Sequence, residues 1–173
     1  MHARHLLILL GIWAAPIGAA QAQSIDPLDQ AAGDPSPASQ VASCLEDAGQ
    51  GARETCIGTS VATCTAEALT TVDMLGCLAP ETEIWEARLA AAFGALRAVY
   101  VEQDGYADPA RALAPRLDAY QAQWTTWREA RCGFEYDKFR GGSMGRIVSA
   151  DCRLHETARR ALELEDLIEE AGL

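Results

Sequence analysis

Six cysteines, Cys44, Cys56, Cys64, Cys77, Cys132 and Cys152, constrain this chain more than any other feature. All six follow an opening that reads as an export signal. His2, Arg4 and His5 make a short basic stretch, and Leu6 to Ala15 is an apolar run too short to span a bilayer with margin. Ala20-Gln21-Ala22 then supplies the small-x-small pattern that a signal peptidase cleaves. Residues 1–22 are therefore expected to be a signal peptide cut after Ala22. No cysteine stands directly after the apolar run, so no lipoprotein anchor is expected, and the mature chain is read as periplasmic or secreted. An even cysteine count in an exported chain implies three disulfides.

The spacing of the cysteines favours local pairs. Cys44 and Cys56 are nearly symmetric about the Gly49–Gly51 turn, and Cys64 and Cys77 about the connection at 65–71. Helical hairpins would bring each pair together. Cys56 and Cys64, read as two turns apart on one helix, would be about 12 Å apart, too far to bridge. Cys132 and Cys152 then clamp the last two helices across Arg140-Gly-Gly-Ser-Met-Gly145. A crossed arrangement, Cys44–Cys64 with Cys56–Cys77, stays open at this point.

Charge and histidine content exclude several functions. The whole chain carries 14 Lys+Arg against 25 Asp+Glu, and removing residues 1–22 leaves 13 against 25, a net charge of −12. Such a chain does not grip nucleic acid or an anionic membrane, both of which demand clustered Lys/Arg. Its charge-steered partner should be basic. Two of three histidines leave with the signal, so only His155 remains. With the thiols committed to disulfides, no metal site and no cofactor are expected. His155 lies in an Arg-flanked helical stretch with no nucleophile elbow in the chain, and reads as an ordinary helix residue rather than a catalytic one.

The hydrophobic pattern predicts an all-α fold, a small bundle of three longer helices with two short N-terminal helices stapled on by disulfides. Residues 23–39 carry three prolines and few large apolar groups and read as a flexible lead. The folded domain is expected over 40–173. Short helices are predicted near 40–49 and 53–64. Thr70 to Asp73 forms a capping box opening a helix to about Glu102, with Trp85, Leu89, Phe93, Leu96 and Tyr100 on its stripe. Pro80 either kinks this helix or starts a new segment. Asp108-Pro109 opens the next helix, whose apolar stripe is Leu113, Leu117, Tyr120, Trp124 and Trp127. The last helix carries Ile147, Ala150, Leu154, Thr157, Ala161, Leu164 and Ile168 at steps of three and four.

One constellation stands out. Gln121-x2-Trp124-x3-Arg128-x3-Cys132 lies on one helical face, followed by Gly141-Gly142-Ser143 and then Cys152-x4-Thr157-x2-Arg160-x3-Leu164. Upstream are Cys64-x12-Cys77 and Glu83-x-Trp85-Glu86-x-Arg88-Leu89. Together these resemble the family of exported bacterial proteins with a lysozyme-inhibitor LprI-like N-terminal domain, over about residues 64–165. Glu86, Ala90 and Phe93 stand where that family often has Asp, Asn and Tyr. Cys44 and Cys56 form an extension outside the shared pattern. The resemblance implies a small helical, disulfide-linked domain that inhibits a lysozyme.

The shared residues also have a plain structural reading. Trp124 and Trp127 continue the apolar stripe and are expected in the core. Arg128 and Arg160 flank their stripes, and a buried Arg needs a partner; Glu83 or Glu86 could supply it, in a network with Gln121 and Thr157. Thr157 itself is expected to bond back to the carbonyl four residues earlier. Glu163, Glu165, Asp166, Glu169 and Glu170 read as a solvated helix face. For binding, the loop Arg140–Arg146 could present Ser143, Arg140 and Arg146 to the paired carboxylates of a muramidase cleft; alternatively Ser143 simply caps the last helix. The expected function is thus a non-catalytic binding protein, with an envelope interaction domain of other target as the alternative. Catalysis by Glu83 and Glu86 would be the least economical use of an i,i+3 pair.

Overall fold

The computed structural model describes residues 35–171, so the expected signal peptide and residues 23–34 lie outside the described residues. Within that span every regular element is helical. Helix α1 covers Pro37–Asp47, a 3-10 segment Gln50–Cys56, α2 Thr59–Thr65, α3 Thr71–Asp104, a 3-10 turn Pro109–Arg111, α4 Ala114–Asp137 and α5 Ser143–Glu170. The described residues lie within one compact unit.

The three long helices make an up-down-up bundle. Leu78 and Thr82 of α3 share a groove with Ala150 and Arg153 of α5, while Arg88 further along α3 pairs with Glu165. Helices α3 and α5 therefore run parallel. Helix α4 runs back alongside this pair: Arg97 meets Asp118 near one end, and Cys132 bridges Cys152 near the other. Trp85, Leu89, Leu96, Leu117, Leu154, Ala158, Ala161 and Leu164 fill the core. Burying such side chains stabilises by about 1.5–3 kcal/mol each.

Local chemistry explains the helix limits. The Thr70 hydroxyl accepts from the Asp73 N–H while the Asp73 carboxylate accepts from the Thr70 N–H, the expected capping box. A single helix continues through Pro80, which leaves the Gly76 carbonyl without its usual donor. Asp108-Pro109 opens only a 3-10 turn, not α4. Helix α4 begins at Ala114, where Pro115 occupies the first turn, and the Asp104 carboxylate from α3 accepts from the N–H groups of Leu113 and Ala114.

The N-terminal segment departs most from expectation. Helix α1 begins at Pro37, capped by Ser36, so residues 37–39 belong to it rather than to the lead. The helix expected over 53–64 is broken, because Gly58 adopts φ +88 and turns the chain between the 3-10 segment and α2. Cys56 and Cys64 thus belong to different elements. The pairing is nonetheless the local one: Cys44–Cys56, Cys64–Cys77 and Cys132–Cys152 are bridged, with Cα–Cα separations of 5.6, 5.6 and 5.5 Å. The crossed alternative is excluded.

Candidate functional site

The shared Gln-Trp-Arg face of α4 meets the Thr-Arg face of α5 in one polar network. Arg160, wholly buried, donates from Nε to Gln121 Oε1 at 2.9 Å and from Nη1 to Glu163 at 2.9 Å. Arg128 donates from Nη1 to Thr157 Oγ1 at 2.9 Å and from Nη2 to Glu129 at 3.0 Å. Trp124 lies between the two guanidinium groups, 5.1 Å from that of Arg128 and 5.7 Å from that of Arg160. These residues therefore hold α4 on α5 by charge-assisted bonds and cation–π contacts.

Four expectations are corrected here. Neither Glu83 nor Glu86 partners an arginine among the described residues; both are exposed, and Glu86 merely shares the α3–α4 groove with Trp124 and Arg128. Thr157 serves Arg128 as acceptor rather than bonding back along α5. Trp127 is 48% exposed and lies outside the core, while Trp124 packs against it. Nor is the acidic stretch of α5 only a solvated face. Glu165 binds Arg53 at 3.0 Å and Arg88 at 2.6 Å, Asp166 also binds Arg53, and Glu169 accepts from Gln50. These carboxylates tie the N-terminal segment down.

The carboxylate that organises α3 is Glu81, which the sequence reading missed. It is fully buried and accepts from the N–H groups of Gly58, Ser60 and Val61 at 2.6, 2.9 and 3.1 Å. It also accepts from Ser60 Oγ and Trp85 Nε1 at 2.7 and 3.1 Å. The carboxylate thus caps α2, whose own N-cap Gly58 has no side chain to offer. Trp85 four residues later was the available clue, since a buried indole N–H seeks an acceptor one turn away.

The candidate binding site is the tip joining α4 to α5. Arg140 has φ +49 and Gly141 φ +86, which reverses the chain within a few residues. Gly142, not Ser143, is the cap of α5, and no side chain caps it; Ser143 is the first helical residue and is exposed. The capping role expected for Ser143 is therefore absent. Gly145 presses so closely on α4 that a Cβ there would come within 2.9 Å of the Tyr136 carbonyl. Just behind, Cys132–Cys152 locks the two helices. Arg140 and Arg146 are exposed and form no ion pair among the described residues. Phe139 and Met144 stand beside them, 40% and 47% exposed. At the same end, Leu69 just ahead of α3 and Val72 in its first turn are 92% and 73% exposed. The tip is a rigid turn offering two free guanidinium groups, a hydroxyl and apolar side chains.

Elsewhere, His155 sits half-buried with Nδ1 3.0 Å from the Asp151 carbonyl. No group of His, Cys, Asp and Glu among the described residues could hold a metal ion, and no described helix is long and apolar enough to cross a membrane. Three disulfides suit an oxidising extracellular or periplasmic compartment.

Comparison with known proteins places this architecture. No solved structure matches the chain. A Rhodobacter capsulatus protein, described as an uncharacterized 17.7 kDa protein in the puhA 5′ region, is 33% identical over 134 residues, which is 73% of this chain and 83% of that one. The model of the family described as lysozyme inhibitor LprI matches residues 64–164, from the first cysteine of the α2–α3 bridge to the buried Leu164 of α5. Cys44 and Cys56 lie ahead of the matched span, and the Gln121-Trp124-Arg128 and Thr157-Arg160 network lies wholly inside it. The chain belongs to the lysozyme inhibitor LprI family.

Proposed function

We propose that this protein is an exported, non-catalytic binding protein that inhibits a basic, lysozyme-type muramidase by placing its α4–α5 tip in the enzyme's cleft. The observation that carries the reading is the tip itself. Arg140 and Arg146 are exposed, with no ion-pair partner among the described residues, on a turn braced by Cys132–Cys152. Muramidases of this class work with a pair of carboxylates, and a guanidinium binds a carboxylate through two parallel N–H donors. Ser143 adds a hydroxyl between them, and Phe139 and Met144 add apolar area. A rigid turn loses little entropy on docking. The description of the family supports the choice of target.

The acidic body has a separate part. With residues 1–22 removed as a signal peptide, the chain has a net charge of −12. Long-range attraction then steers a basic enzyme toward it and makes association fast and sensitive to salt. N-terminal sequencing of the exported protein should begin at Gln23. In a turbidity assay at low ionic strength, a stoichiometric excess of the oxidised mature protein should stop the clearing of bacterial cell walls by lysozyme, and added salt should restore it. Unchanged clearing at low ionic strength overturns the reading. Capture of another envelope protein, with lysozyme left unbound, would instead favour an interaction domain without inhibitory action.

A further inference from the structure

We propose that α4 carries a self-association surface, on which Leu113, Tyr120, Trp127 and Phe134 pack against the same face of a second copy of this chain. These residues recur every seventh position, from the cap of α4 to its last turns. They are 41%, 49%, 48% and 65% exposed, so the largest apolar groups of the helix outside the core lie in one row. Seven residues are close to two helical turns, and the row is a ridge about 32 Å long.

Three observations select a second copy as the occupant. The first is charge. From Ala114 to Lys138 four acidic and four basic residues cancel, whereas α3 carries six acids against two arginines and α5 seven against four. A basic partner would be drawn to those faces; the neutral α4 face is where two strongly acidic chains meet with least repulsion. The second is shape. Beside the ridge, along the α4–α5 seam, runs a groove of about 240 Å³ lined by Arg131, Glu135, Val148, Asp151, His155 and Glu156. A two-fold interface requires one patch to complement itself, and it does so here if ridge meets ridge while the arginine and carboxylates of the flanking groove pair with those of the other copy at its rim. The third is order. The buried Arg160 lies 4.1 Å over Tyr120 and fixes that ring from one side before docking, while Arg131 and Lys138 stand 5.8 and 6.0 Å over Trp127 and Phe134, the outer reach of such a contact. Fixing a ring in advance reduces the entropy lost on association.

Area sets the strength. An aromatic side chain offers on the order of 150–250 Å² in full, so this half-exposed row supplies roughly 400 Å² per copy, about half of what a standard stable interface buries on each side. The seam groove adds to it, and the dimer is therefore weak and concentration-dependent.

Sedimentation velocity of the oxidised mature protein tests this over a concentration series from about 1 μM to about 500 μM. Wild type should move from monomer to dimer within that range, with a blue shift of tryptophan fluorescence as Trp127 leaves water. Trp127→Glu should weaken the dimer by roughly thirtyfold or more, and Phe134→Glu should do the same if the first variant loses helical circular dichroism. Val101→Glu, at a 50% exposed position on α3, should change nothing. A wild type that stays monomeric throughout, or ridge variants that dimerise as tightly as wild type, would overturn the proposal. Loss of lysozyme binding by Trp127→Glu in a monomeric protein would overturn it too, assigning the ridge to the enzyme. Ridge variants that fail to dimerise yet still inhibit would separate this surface from the α4–α5 tip.

Discussion

At Glu81 a buried carboxylate accepts from five donors and leaves the Gly58–Val61 turn and the Trp85 indole satisfied. At the α4–α5 tip, Arg140 and Arg146 stand exposed without an ion-pair partner among the described residues. Both regions sit beside a disulfide, Cys64–Cys77 in the first case and Cys132–Cys152 in the second. They differ in what the polar groups do. Where every donor is used inside the fold, the charge fixes architecture; where donors face water on a braced turn, their strongest interaction is still to be made. Stability therefore belongs to the first region, and under the function proposed above recognition belongs to the second.

The sharpest way to break that contrast is to remove Glu81. Glu81→Ala leaves buried donors without an acceptor, and each unsatisfied group is costly. The expected loss is about 3–5 kcal/mol of unfolding free energy, read from urea titration, with faster amide exchange at Gly58, Ser60 and Val61. A loss below about 1 kcal/mol would show that the two regions do not differ in this way.

Opening the Cys132–Cys152 bridge should affect both properties. In the chain-entropy model a loop of about twenty residues contributes about 3 kcal/mol, so the double Cys→Ser variant should unfold at correspondingly lower urea. It should also inhibit less well while still folded, because the tip loses its brace. Intact inhibition by the folded double variant would mean that the brace serves stability alone.

What could be read in advance follows from how local each interaction is. The Thr70–Asp73 box, the Gly141–Gly142 turn and the local disulfides depend on residues close in sequence, and all three were legible. Glu81 was passed over for Glu83 and Glu86 because four of its five donors lie 20 to 23 residues away, across a break at Gly58 that one glycine does not announce, and Trp85 was read only as an apolar stripe residue. The partners of Arg128 and Arg160 were misassigned for a related reason. Periodicity shows that a face exists, but not which residue of another helix lies opposite. The α4 stripe shows the same limit: spacing of 4-3-4-3 runs across two adjacent faces, so Leu117 and Trp124 pack inward while Leu113, Tyr120 and Trp127 remain at the surface.

Removing the tip charges should separate recognition from stability. Arg140→Ala with Arg146→Ala should change unfolding free energy by no more than about 0.5 kcal/mol. Lysozyme inhibition should weaken by roughly thirtyfold, the scale of losing a guanidinium paired with a carboxylate at an interface. The residual inhibition should keep its salt dependence, since steering by the acidic body remains. A variant that inhibits as well as wild type would move the site away from the tip.

The smallest effect is expected at the start of α3, where a charge is used in the way Glu81 is used but in the open. Hydrogen bonds from the Thr70 side chain and N–H hold the Asp73 carboxyl below its ordinary value of 3.8, against a small opposing effect of burial, with a further contribution from the Leu69 N–H. Because the folded value is the lower one, the carboxylate favours the folded state wherever it is ionised in both states. That contribution is complete above the unfolded value and fades as pH falls through the depressed folded one. Asp73→Asn should therefore melt slightly below wild type at pH 7, and the two melting curves should converge in strong acid. Equal melting at pH 7 would mean that an exposed capping carboxylate contributes nothing measurable, confining the stabilising role of such contacts to buried sites like Glu81. A difference that grew in acid would reverse the sign of the linkage and remove the capping box as its cause.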